Sequence, residues 1–182
     1  MEAIMPSNNI IRADLPDTFY HVYSRGLSKK QIFHSQRDYI HFERLLSRYL
    51  VGGYHKKKYY NPVNGINLSG YCLMPNHWHL LIYQEDPGAI SKFMQKLQVA
   101  YTRYFNFYNE VTGPLMDSRY KSKPVHDDAY LITIIKYIHN NPNNPTGWKY
   151  SSYWDYLGSE REWIGTSRIT EIYAKEEVVS PI

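Results

Sequence analysis

A chain of 182 residues, 43% of them hydrophobic, has the length of one domain and enough apolar surface to close a core, which excludes a disordered chain. The single cysteine, Cys72, excludes an internal disulfide, a zinc ribbon and a CxxC redox pair; with no apolar run near membrane-spanning length and no leader-like pattern in the first twenty residues, a soluble cytoplasmic protein is expected. The formal charge of +4 is only a mild bias toward polyanions, but 19 tyrosines interleaved with Arg and Lys are a surface on which single-stranded nucleic acid can stack, even if most of them are core and rim residues.

In chain order, residues 18–25 (TFYHVYSR) alternate aromatic and polar side chains up to Gly26 and predict a first strand. Residues 38–50 space Tyr39, Phe42, Leu45, Leu46 and Tyr49 for a helix, and Lys56, Lys57 and Lys58, set between Gly52-Gly53 and Asn61-Pro62, read as an exposed loop. Residues 66–74 and 77–84 straddle Pro75-Asn76 as the two strands of a hairpin. A long helix is predicted over 89–109, a short basic strand over 119–126 with Pro124 marking an edge, and a helix from Asp127-Asp128 to Asn141-Pro142. An aromatic segment follows Pro145, and 166–177 has the pattern of a last short helix. The order strand, helix, strand, strand, helix, strand, helix predicts an α+β fold: a ferredoxin-like antiparallel sheet with helices on one face, plus an additional C-terminal helix carrying Tyr137. The domain is expected to span 1–157, with 158–182 as a C-terminal extension.

Strand alternation turns His77 and His79 to one face and Trp78 and Leu80 to the other, so two imidazoles are preplaced for a metal or, equally, for hydrogen bonds in a half-buried site. Tyr137 and Asn141 are four residues apart on the last core helix and share a face. From spacing alone, Tyr137 reads as readily as a core aromatic beside Ile134 and Ile138, and Asn141 as an ordinary helix-terminal residue before Pro142. Two imidazoles and an amide oxygen leave coordination positions for water and a phosphate oxygen, and do not by themselves distinguish magnesium from manganese or a later metal.

The segments YHVYSRG, GYCLMPNHWHLLI, GPLMDSRYKS and AYLITIIKYIHNNP, in this order and spacing, resemble the single-tyrosine transposases of the HUH superfamily, in particular those associated with repetitive extragenic palindromes. The resemblance runs from about Phe19 to Leu157. It implies that His77, His79 and Asn141 ligate a divalent metal, Mg2+ or Mn2+, and that Tyr137 attacks a backbone phosphate of single-stranded DNA beside a hairpin. The implied products are a 5′-phosphotyrosine and a free 3′-hydroxyl. A phenol is a weak nucleophile at neutral pH, so a cation that polarises the phosphate fits this division of labour. Relatives include both homodimers that exchange the tyrosine helix and monomers, which leaves both states open here. For phosphate neutralisation the first choices are Arg25, Arg119, Lys121 and Lys123, with the lysines at 56–58 as further candidates. Two other readings compete: a non-catalytic nucleic-acid-binding module of ferredoxin-like fold, and a metal-dependent nuclease using activated water with Tyr137 merely packing.

Overall fold

The computed structural model describes residues 14–55, 58–159 and 161–181; Lys56 and Lys57, and most of the first twenty residues, lie outside them. In chain order the elements are β1 (Thr18–Arg25), α1 (Gln36–Leu50), β2 (Gly53–His55), β3 (Lys58–Tyr60), β4 (Ile66–Met74), β5 (His77–Gln84), α2 (Ala89–Tyr108), β6 (Lys121–Val125), α3 (Asp128–His139), α4 (Ser167–Thr170) and α5 (Lys175–Val178). The capping residues start the helices where the sequence offers them. Ser35 and Asp38 close a capping box at α1, and the Asp127 carboxylate accepts a 2.7 Å hydrogen bond from the Tyr130 backbone N–H at α3.

Four strands form one antiparallel sheet in the order β4-β5-β1-β6, the ferredoxin-like order that the sequence predicts. The segment expected to be a loop around Lys58 is instead a separate two-stranded ribbon, β2 with β3. Its strands are three residues each and the first opens on Gly53, which like Gly52 before it has a positive φ; they are too short and too polar to show a period of two. The basic strand predicted from 119 begins only at Lys121, so Arg119 stands in the bend before it.

Alternation along the strands divides the molecule. Tyr20, Val22, Trp78, Leu80 and Ile82 point to one face and join Phe42, Leu46, Phe93, Leu97 and Tyr101 in a large core under α1 and α2. The opposite face carries Cys72, Leu81 and Val125, which pack with Leu131, Ile134, Ile135 and Ile138 of α3. The helix lies close to the sheet because β4 shifts register between Leu68 and Gly70, and a Cβ at Gly70 would sit 2.3 Å from the Ile135 side chain.

The segment after Leu157 packs back on this domain. Arg161 bridges Glu43 at 3.1 Å and Asp155 at 2.8 Å, and the Tyr173 hydroxyl donates to the Asp128 carbonyl. Ile169 and Val178 complete the second core. The single helix expected over 166–177 is two four-residue pieces, α4 and α5. Among the described residues no helix is long and apolar enough to cross a membrane.

Candidate active site

On the α3 face of the sheet, the end not sealed by Leu131 and Ile135 carries polar side chains. His77 lies opposite Arg25 of β1 and His79 opposite Tyr23, so both imidazoles emerge beside β1. α3 crosses above them. Its last turn brings the Tyr137 ring edge-on to His79, with centroids 5.3 Å apart; the helix ends at His139, short of the predicted stop at Asn141-Pro142, and the segment just past it brings the Asn141 Oδ1 to 2.9 Å from His77 Nε2. Tyr137 is 40% exposed, an outlier beside Ile135 and Ile138, which are fully buried. The four residues singled out from the sequence thus line or flank one cleft of about 420 Å³, whose walls include Tyr23, Arg25, Lys29, Asn76, Asp117 and Lys121.

The imidazoles are held neutral. Burial pushes His79 down to about 3, with His21 and His77 adding to the effect, and burial together with Lys123 pushes His21 down to about 4. His77 is lowered by burial, against the Asn141 oxygen, which favours the protonated ring, with Arg25 lowering it further. Neutral imidazoles keep a lone pair, which is what a metal requires.

The tautomer of His77 follows from its neighbours. The Asn76 Nδ2 donates to the Lys29 carbonyl at 3.2 Å, which turns its Oδ1 toward His77 Nδ1 at 2.6 Å. Amide oxygen only accepts, so the imidazole proton sits on Nδ1 and Nε2 is bare. That bare nitrogen faces the Asn141 Oδ1, a second acceptor, 2.9 Å away. Two cis ligands each about 2.1 Å from one ion lie roughly 3.0 Å apart, so the pair fits a bound cation. Among the described residues no three His, Cys, Asp or Glu side chains converge to hold an ion. The oxygen that approaches His77 is the amide of Asn141.

The predicted cations divide. Arg25 and Lys121 line the cleft, Arg25 in a half-exposed ion pair with Asp117 at 3.6 Å. Lys123 stands opposite His21 on β6, on the same face. Arg119 is not in the cleft; with Arg103 it lines a neighbouring depression of about 570 Å³ that shares Asp117 and Ser118 with it. Lys58 lies on the ribbon against the Tyr60 ring.

Tyr23, Lys29 and Asn76 of the cleft wall escape the sequence reading, as does His21 behind it, whose Nε2 lies 2.8 Å from His79 Nδ1. The sequence does carry a partial signal for them. Residues 21, 23 and 25 share a face of β1, and the ferredoxin-like order places β1 beside the strand of the two histidines.

With this geometry in place, comparison with known proteins is specific. Residues 54–141 match the family of IS200-like transposases, a stretch that contains both histidines, the tyrosine and the asparagine. The structure of a REP-associated tyrosine transposase bound to a REP hairpin superposes with a TM-score of 0.62 at 11% identity, covering 88% of this chain and 90% of that one. A proposed transposase of Deinococcus radiodurans gives 0.45 at 18% identity, over 75% and 97% of the two chains. No curated protein matches the sequence. The tyrosine transposase fold is shared across nearly the whole chain, and the part that supplies His77, His79, Tyr137 and Asn141 is similar to the IS200-like transposases.

Proposed function

We propose that this protein is a metal-dependent transposase that nicks and rejoins single-stranded DNA beside a hairpin of a palindromic repeat, with Tyr137 as nucleophile. The observation that carries this reading is the convergence of Tyr137 from α3, and Asn141 just past its end, with His77 and His79 from β5 in and beside one cleft. The hairpin bound by the structural neighbour supports the choice of substrate.

The chemistry divides among these residues. Arg25, Lys29 and Lys121 in the cleft wall neutralise the phosphates on either side of the scissile one. Tyr137, carried on a helix whose inner face is packed, presents its hydroxyl to phosphorus with little orientational freedom to lose. Its oxygen forms the new ester bond as the bond to the 3′-oxygen breaks, leaving a 5′-phosphotyrosine; the phenolic proton lost is balanced by the one the 3′-oxygen gains. Mg2+ or Mn2+ held by His77, His79 and Asn141 would supply the charge that polarises the phosphate and stabilises the leaving oxygen. Because one phosphoester replaces another, a second 3′-hydroxyl can reverse the step and join strands without a nucleotide cofactor. Arg103 and Arg119 offer a path for the strand beyond the cleft.

The test is incubation with labelled single-stranded hairpin oligonucleotides and Mn2+ or Mg2+, followed by denaturing electrophoresis. A protein-linked DNA band is expected that needs the cation and disappears in Tyr137→Phe. Cleavage persisting in that variant would replace the reading with a nuclease using activated water. Cation-independent binding without cleavage would replace it with a recognition module.

A further inference from the structure

Both histidines of the site are gripped from behind at the same nitrogen. For His77 the partner on Nδ1 is the Asn76 Oδ1, and for His79 it is the Nε2 of His21, at 2.8 Å. His21 and His79 are buried, at 7% and 6% exposure, and their rings stack with centroids 5.0 Å apart. Tyr23 packs against both rings, at 4.9 Å from His21 and 5.8 Å from His79, and His21 meets the Tyr137 ring edge-on at 6.0 Å.

Two imidazole nitrogens in hydrogen-bond contact hold one proton between them. If it sits on His21, His79 accepts at Nδ1 and must carry its own proton on Nε2, which removes the lone pair that could face the cleft. If it sits on His79, the His21 Nε2 accepts, and His79 offers a bare Nε2. Only the second arrangement matches His77, whose proton is placed on Nδ1 by an oxygen that cannot donate. It is also the arrangement a cation beside His77 and Asn141 requires.

We propose that His21 is a positioning residue: by accepting the Nδ1 proton of His79 it fixes that ring in the tautomer and orientation that leave Nε2 free to bind a cation. The inference rests on the metal reading above. His21 does not touch the cation itself; it acts through His79, as the carboxylates and carbonyls behind metal-bound histidines commonly do. Loss of such partners typically weakens metal binding by about 10- to 100-fold.

Long-range proton–nitrogen NMR of the metal-free protein tests the tautomer directly. His79 is expected to be protonated at Nδ1 and bare at Nε2; a proton on Nε2 would overturn the proposal, whatever the activity. Calorimetric titration with Mn2+ gives a second, independent readout. His21→Phe keeps a ring in the stack but has no acceptor, and its Mn2+ affinity is expected to fall by at least about 10-fold. His21→Gln restores an acceptor and is expected to recover most of the loss, which a purely structural role for the ring would not produce. Wild-type affinity in a folded His21→Phe would overturn the proposal. Failure of the wild-type protein to bind Mn2+ at all would instead overturn the metal reading on which it rests.

Discussion

The two faces of the four-stranded sheet are built from alternate residues of the same strands, yet they do opposite work. Trp78, Leu80 and Ile82 are completely buried under α1 and α2, whereas His77 and His79, one residue out of phase, line a cleft under the end of α3, His77 half-buried and His79 at its floor. The first face is closed along its length by two helices. The second is closed by one, and where α3 ends at His139 the sheet is left partly uncovered, with Asn141 just beyond. The active-site candidate thus exists because apolar cover on that face runs out.

Substituting neighbours on β5 breaks the comparison most sharply. His79→Ala is expected to lower DNA-adduct formation by at least about 100-fold, with a smaller loss of stability than Leu80→Ala. Leu80→Ala is expected to cost about 2–5 kcal/mol in denaturant unfolding while adduct yield per folded molecule is retained. Equal effects of the two on both readouts would remove the division of labour between the faces.

The second face also holds a buried titratable group away from the cleft. His139 shares a hydrogen bond with Ser152 Oγ at 2.8 Å and donates from Nδ1 to the Val178 carbonyl at 3.2 Å, and burial pushes it down to about 4. Unfolded, it titrates near 6.5, so between about 6.5 and 4 the unfolded chain binds a proton that the folded one does not. Stability is therefore full above about pH 6.5 and falls as the pH drops toward 4, by on the order of 2–3 kcal/mol from this residue. His139→Gln is expected to flatten that slope in pH-dependent melts without abolishing it, since His21 and His79 are lowered in the same direction.

Gly70→Ala places a methyl group against Ile135 and is expected to cost about 1–3 kcal/mol and to reduce adduct formation by shifting α3. The smallest effects belong to the rim. Lys121→Ala in the cleft and Arg119→Ala beside it are each expected to lower the slope of log affinity against log salt by about one, with modest losses in single-strand binding by fluorescence anisotropy.

Much of this arrangement is legible in the amino-acid sequence. The bounds of β1 coincide with its alternating run and those of β4 and β5 with the two apolar stretches around Pro75-Asn76, and strand alternation puts His77 and His79 on the face away from Trp78. The i, i+4 spacing suggests one helical face for Tyr137 and Asn141, but α3 ends at His139 and Asn141 reaches His77 from the segment beyond it; the family resemblance supplies the reason to bring both pairs to one point. What stays hidden depends on register and tertiary packing. His21 meets His79 diagonally across two strands 58 positions apart in sequence, an offset that no local pattern encodes. The Gly70 bulge changes the parity of β4 halfway along, and the tail after Leu157 finds its place through Arg161, Ile169 and Val178, single residues without a periodic signature.

Everything proposed for the cleft turns on Tyr137, and no other tyrosine, becoming bonded to DNA. Tyr23 is the natural competitor, since it lines the same cleft and lies 5.8 Å from the His79 ring. Proteolysis of the cation-dependent protein–DNA product, followed by peptide mass spectrometry, distinguishes them. A nucleotide linked through phosphate to the peptide beginning at Tyr137 is the expected result; the same mass addition on the peptide containing Tyr23, with Tyr137 unmodified, would contradict it.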